Sequence, residues 1–186
     1  MNPQAAIRTV AVIGAGRVGR SFALACAAAG FDVVLEDVMP ANLRRAQEEY
    51  SDLTAQNAGA RGKLAVATTI EDAVREADVA VDFVPDELES KLEIFCMVDR
   101  MAPPRTILLT PSEAQSITDL ASCTYRGERC FAVRGGLGFA GPVRLLHPAG
   151  AAEAAIEAVS GFLRTLGGDV RVEADTDTPN LVKNLG

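Results

Sequence analysis

One histidine and four cysteines are too few, and too scattered, for several kinds of chemistry. His147 alone cannot support a zinc site with these partners. Cys26, Cys96, Cys123 and Cys130 contain no C-x-x-C pair and no metal-ligand spacing. The residues therefore predict no metal, and the thiols read as small buried side chains, above all Cys26 inside an alanine-rich stretch. Positive charge is also in short supply: 18 Lys and Arg against 25 Asp and Glu leave a net charge of −7. A phosphate backbone needs a basic face, so a nucleic-acid partner is disfavoured. No apolar run approaches the length of a membrane span. The opening MNPQAAIRTV lacks a charged segment followed by a long apolar one. The expectation is a cytoplasmic protein with no membrane partner. At 186 residues, 48% hydrophobic and 23% charged, the chain is long enough for one good core, and residues 1–186 read as a single domain.

What is present is concentrated in residues 9–38, TVAVIGAGRVGRSFALACAAAGFDVVLEDV. An apolar run leads into Gly14-Ala15-Gly16-Arg17-Val18-Gly19, a small-residue helix follows, and the next apolar run ends in Glu36-Asp37. This is G-x-G-x-x-G with a strand before it, a helix after it and an acid at the end of the second strand. Gly14 permits the tight turn, Gly16 lets backbone approach a pyrophosphate, and Gly19 lets the helix pack closely. The unpartnered N–H groups and positive dipole of the helix start hold a pyrophosphate without a side-chain cation. At the strand end, Asp37 would accept hydrogen bonds from a ribose diol and repel a 2′-phosphate. The expected cofactor is therefore NAD rather than its phosphorylated form.

Strand and helix patterns alternate along the rest of the chain. Strands are expected over residues 8–13, 32–38, 64–68, 78–84, 106–110, 130–134, 143–147 and 170–173. Helices are expected over 17–29, 40–56, 70–76, 86–101, 113–121, 151–166 and from 179 onward. Gly30 closes the first helix, Thr69 caps the third, and Arg44, Arg45, Glu48 and Glu49 form a solvated charge ladder on the second. The alternation predicts an α/β fold, a doubly wound, mostly parallel sheet with ligand across the carboxyl ends of its strands.

The pattern resembles the amino-terminal NAD-binding Rossmann domain of L-3-hydroxyacyl-CoA dehydrogenases. VAVIGAGRVG…AAGFDVVLED, ADVAVDFVPDELESKLEIF, MAPPRTILLTPSEAQSITDLA and DTPNLVKN carry the likeness over nearly the whole chain. The resemblance implies NAD contacts at Gly14, Gly16, Arg17, Val18 and Asp37, with Val84 and Pro85 near the riboses and Asp86 and Lys91 near the cofactor. On the residues alone, Asp86 reads equally as a helix-start acid favoured by the dipole, and Lys91 as a solvated helix residue.

The family's general-base histidine has no counterpart: ungapped counting puts Arg134 there, and a second alignment puts Gly138. Glu113 stands in place of the family's serine, Asn184 matches its asparagine, and His147 falls near its orienting glutamate. Glu113, His147 and Asn184 are thus the candidate catalytic residues. Arg134 reads either as an anion-binding fork or as an exposed strand-end residue. The family continues into a helical domain, so residues 179–186 are expected to begin a helix leading toward it. Self-association or a helical partner domain is expected to cover the apolar surface.

The implied activity is NAD-dependent hydride transfer, in fatty acid metabolism, to or from a 3-hydroxy or 3-keto acyl thioester, an acyl-CoA, or a related β-hydroxy carbonyl compound. Two alternatives stay open. One is a non-catalytic NAD(H)-binding module acting as sensor, partner subunit or scaffold; the other is a family member recruited to different chemistry.

Overall fold

The computed structural model describes residues 6–56, 62–135 and 141–177. Its first strand, β1 (Thr9–Ile13), is buried on both faces, as a central parallel strand must be: Val10 and Val12 enter one core, Ala11 and Ile13 the other. β2 (Asp32–Glu36) and β3 (Leu64–Ala67) lie to one side of it; β4 (Val79–Asp82), β5 (Ile107–Pro111) and β6 (Cys130–Arg134) lie to the other. β7 (Gly141–His147) and β8 (Gly168–Ala174) complete an eight-stranded sheet of order 3-2-1-4-5-6-7-8. The first six strands are mutually parallel; β7 pairs antiparallel with β6, and β8 runs with β7.

Helices cover both faces. On one, α1 (Arg17–Ala29), α2 (Pro40–Gln56) and α6 (Glu153–Thr165) enclose Phe22, Cys26, Leu43, Val159 and Phe162. On the other, α3 (Ile70–Val74), α4 (Leu88–Met101) and α5 (Ile117–Ser122) enclose Val74, Phe95, Val98 and Leu120. This is the expected doubly wound fold. The chain reverses its winding between β1 and β4, so a crevice opens at the carboxyl ends of those strands.

Local signals in the sequence hold up. Gly30 ends α1 with φ at 103°, and the Thr69 side chain accepts from the Asp72 N–H at the start of α3. Cys26 is fully buried, which pushes its thiol far up. The ladder on α2 is corrected at one rung. Glu49 takes the Arg20 Nε at 3.0 and 2.9 Å and ties α2 to α1. Residues 113–116 form a loop rather than the first turn of α5, because the Ser116 hydroxyl caps that helix at Asp119 N–H. No helix among the described residues is long and apolar enough to cross a membrane.

Candidate dinucleotide and active site

The glycines of the loop differ in why they lack a side chain. Gly14 takes φ at 97°, which a side chain resists, and donates its N–H to the Glu36 carbonyl at 2.9 Å. A Cβ on Gly19 would collide with the Gly14 carbonyl oxygen and reach Phe83 Cβ at 3.2 Å; this glycine lets α1 start against the loop. A Cβ on Gly16 would meet nothing within 4 Å. Gly16 therefore has no packing reason to lack a side chain. It forms the N-cap of α1 without a side-chain capping bond, and Gly16, Arg17 and Val18 are exposed. A side chain there would extend into open space beside the first-turn N–H groups, which have no partners inside the helix.

Asp37 lies just past β2 and is largely satisfied within the chain. Its Oδ2 accepts from Ala15 N–H at 2.8 Å and from the Asn42 amide at 3.0 Å; Oδ1 accepts from Met39 N–H at 2.7 Å. Each carboxylate oxygen accepts about two bonds, which leaves Oδ1 with room for one hydroxyl rather than a bidentate diol. Asn42 was not singled out from the sequence, although its position in the first turn after an acid is a recognisable signal.

Next to this arm, Asp82 ends β4 and Lys91 lies one turn into α4, and both are sealed from solvent at 3% and 1% exposure. The Lys91 Nζ donates to Asp82 Oδ1 at 2.7 Å and to the Pro111 carbonyl at 3.0 Å, which joins β4, α4 and β5 under the crevice. Burial pushes the Asp82 carboxyl up, against the opposing pull of Lys91, Thr110 and the Val84 N–H. Lys91 is therefore not a solvated helix residue. It is committed to internal partners, because a cation removed from water needs them.

Asp86 is corrected as well. It precedes Glu87, the N-cap of α4, and acts as a brace rather than a helix-start acid. It accepts from the Ser112 hydroxyl at 2.5 Å and from Glu113 and Ala114 N–H at 2.9 and 3.2 Å. Partial desolvation works upward on its carboxyl, but these bonds together with Lys91 hold it below the usual carboxylate range. Val84 is half-buried and Pro85 exposed at the head of the same loop.

Of the catalytic candidates, Glu113 reaches the carboxyl edge. It is exposed in the loop after β5, and its Oε1 accepts from Gly135 N–H at 2.6 Å. Arg134 turns back on this loop and donates to the Ser112 and Gln115 carbonyls at 3.3 and 3.0 Å. It is a loop clamp, neither exposed nor free as an anion fork. His147 is not brought to Glu113. Arg134 pairs with Arg144, and His147 lies three residues farther along β7, roughly 10 Å toward the amino side of the sheet. Strand alternation puts it on the face of Val143 and Leu145, and its Nδ1 sits 3.0 Å from the Pro148 carbonyl. Asn184 and Gly138 lie outside the described residues.

The model of the 3-hydroxyacyl-CoA dehydrogenase NAD-binding domain matches residues 9–148. The chain belongs to this family. Its cofactor is accordingly NAD. A probable 3-hydroxybutyryl-CoA dehydrogenase of Bacillus subtilis is 28% identical over 151 residues, 75% of this chain and 51% of the relative. The mitochondrial hydroxyacyl-coenzyme A dehydrogenase of Sus scrofa is 28% identical over 200 residues, 96% of this chain and 62% of the relative. Among solved structures, the 3-hydroxyacyl-CoA dehydrogenase of Archaeoglobus fulgidus superposes with a TM-score of 0.75 at 27% identity, over 92% of this chain and 57% of that one. The chain thus spans little more than half the length of these relatives. What it shares with them is the dinucleotide-binding half.

Proposed function

We propose that this chain is the cofactor-binding part of an NAD-dependent oxidoreductase acting on 3-hydroxy or 3-keto acyl thioesters, acyl-CoA substrates, or closely related β-hydroxy carbonyl compounds. The observation that carries this reading is the open space at Gly16 by the start of α1, with exposed Arg17 and Val18 beside it and the Asp37 carboxylate bonded to Ala15 N–H, in a chain of this family. NAD bound there would accept or return a hydride. The chain's own residues supply the rest. The α1 start holds the pyrophosphate, and Asp37 takes one ribose hydroxyl. The Asp82–Lys91 pair and the Asp86–Ser112 brace fix the two loops that flank the nicotinamide end.

A proton must leave the substrate hydroxyl as hydride departs, and in this reading Glu113 receives it. Its exposed carboxylate sits where the loop after β5 meets Gly135. The reading includes a cytoplasmic location and either self-association or a helical partner domain over the crevice, as the longer relatives suggest.

The test follows NADH oxidation with acetoacetyl-CoA, with the chain alone and with a helical domain supplied by a relative. Asp37→Ala should weaken NADH binding, and Glu113→Gln should lower turnover by about 10²- to 10⁴-fold with binding retained. His147→Ala should leave turnover unchanged. Loss of activity in His147→Ala with none in Glu113→Gln would overturn the assignment of the base. NADH binding without turnover in either format would favour a binding module.

A further inference from the structure

The four cysteines divide into two kinds. Cys26 and Cys130 are buried, and burial pushes the Cys130 thiol up to about 12. Cys96 and Cys123 are only half-buried, so the expectation of small buried thiols fails for this pair. Cys96 lies in α4, Cys123 is the C-cap of α5, and these helices pack on the same face of the sheet. The Cys96 thiol donates to the Cys123 carbonyl oxygen at 3.9 Å. A carbonyl oxygen stands about 2.4 Å from its own Cα, which puts the Cys96 sulfur within about 6.3 Å of the Cys123 Cα.

The segment after Cys123 is bolted to α4 close to Cys96. One turn farther along that helix, the Asp99 carboxylate accepts from the Tyr125 N–H at 2.9 Å and from the Arg126 Nε at 2.8 Å. The Arg126 guanidinium also donates to the Asp99 carbonyl at 2.6 Å. These bonds hold the two thiols near each other without joining them. Burial and the nearby Cys123 thiol push the Cys96 thiol up, against the pull of Arg100. Two short side chains kept in place by other bonds need only rotate to pair, so little further chain entropy is lost on closure.

We infer that Cys96 and Cys123 form a reversible disulfide between α4 and the end of α5, made by exchange with a low-molecular-weight disulfide such as oxidised glutathione. One cysteine, as its thiolate, attacks a sulfur of that disulfide and releases one small thiolate. The second cysteine, deprotonated in turn, attacks the protein-bound sulfur of the mixed disulfide and releases the other. The protein loses two S–H bonds and gains one S–S bond, and the small disulfide is reduced to two thiols, which take up the two protons. The ring so closed runs from residue 96 to residue 123 and contains β5, Ser112 and Glu113. Oxidation therefore staples the segment behind the candidate site, whatever that site binds.

The experiment exposes the reduced, native chain to oxidised glutathione at neutral pH, blocks the remaining thiols in denaturant, and maps unreduced peptides by mass spectrometry. The expected product is a Cys96–Cys123 cross-linked peptide that dithiothreitol removes, with Cys26 and Cys130 recovered as blocked free thiols. The midpoint of thermal unfolding should rise by roughly 4–16 °C on oxidation, the usual effect of a disulfide on a chain of this size. Cys96→Ser and Cys123→Ser, each shown to be folded by circular dichroism, should lose both the cross-link and the rise. Glutathione adducts at Cys96 and Cys123 without a cross-link would overturn the pairing. So would four free thiols, or a cross-link that recruits Cys130 instead.

Discussion

Alanine at Gly16 and alanine at Gly19 make the same chemical change three residues apart and should have opposite consequences. At Gly19 the new methyl is driven into the Gly14 carbonyl and against Phe83 Cβ at 3.2 Å. The first turn of α1 must then lift off the loop. Overpacking of this kind costs about 1–3 kcal/mol, and for a chain of this size each kcal/mol lowers Tm by roughly 2–4 °C. The expected loss is therefore about 2–12 °C, readable by circular dichroism. At Gly16 the methyl meets nothing within 4 Å and the φ of −60° suits any residue. Stability should stay within about 1 kcal/mol of wild type, the scale of an N-cap change. Cofactor affinity should fall, because the methyl would enter the space that the proposed function gives to the pyrophosphate. Losing one charge-assisted bond to a helix-start N–H costs about 1.5–3 kcal/mol, roughly 10- to 150-fold in Kd. NADH fluorescence titration measures this. Wild-type affinity in Gly16→Ala would refute the placement of the pyrophosphate over Gly16. A wild-type Tm in Gly19→Ala would refute the close approach of α1 to the loop.

The pair beneath the crevice gives a second expectation. Lys91→Met strands a buried carboxyl and should cost about 3–5 kcal/mol in urea unfolding, whereas adding Asp82→Leu should recover most of that loss. No recovery in the double variant would show that the pair does more than satisfy its own charges. Acid sensitivity gives a third. The Asp86 carboxyl lies below its ordinary value of about 3.9, so its contribution is full above that pH and is lost as pH falls through the lowered native value. Asp175 behaves likewise, through Thr118 N–H and the Ser116 hydroxyl. Asp86→Asn should therefore be less stable than wild type at neutral pH and lose less stability between pH 5 and 2. Parallel curves for the two proteins would discount the brace.

Much of the fold was legible because its signals are local. The glycine spacing, the Gly30 stop, the Thr69 cap and the apolar strands each act within a few residues, and all lie where expected. The candidate site was legible only where it shares that property. Lys91 looked solvated because its burial depends on Asp82 and Pro111, brought in by other strands. Asp86 looked like a helix-start acid because Ser112 and the Glu113 N–H, its actual partners, are 26 and 27 residues away. His147 reads as a catalytic candidate in the sequence, but the antiparallel register of β7 carries it away from the carboxyl edge. A lone charge inside the apolar run of β4 was the one available hint of Asp82.

The two ends of the sheet restrict how this chain can meet another copy. On one side β3 is four residues long, too short to template an added strand. On the other, β8 places Asp169, Arg171 and Glu173 along the rim, and the Arg144 guanidinium grips Glu173 with contacts of 3.1, 3.0 and 2.6 Å. An incoming strand would have to match its own side chains to these three charges. Both margins of the sheet thus carry features that disfavour its growth from molecule to molecule.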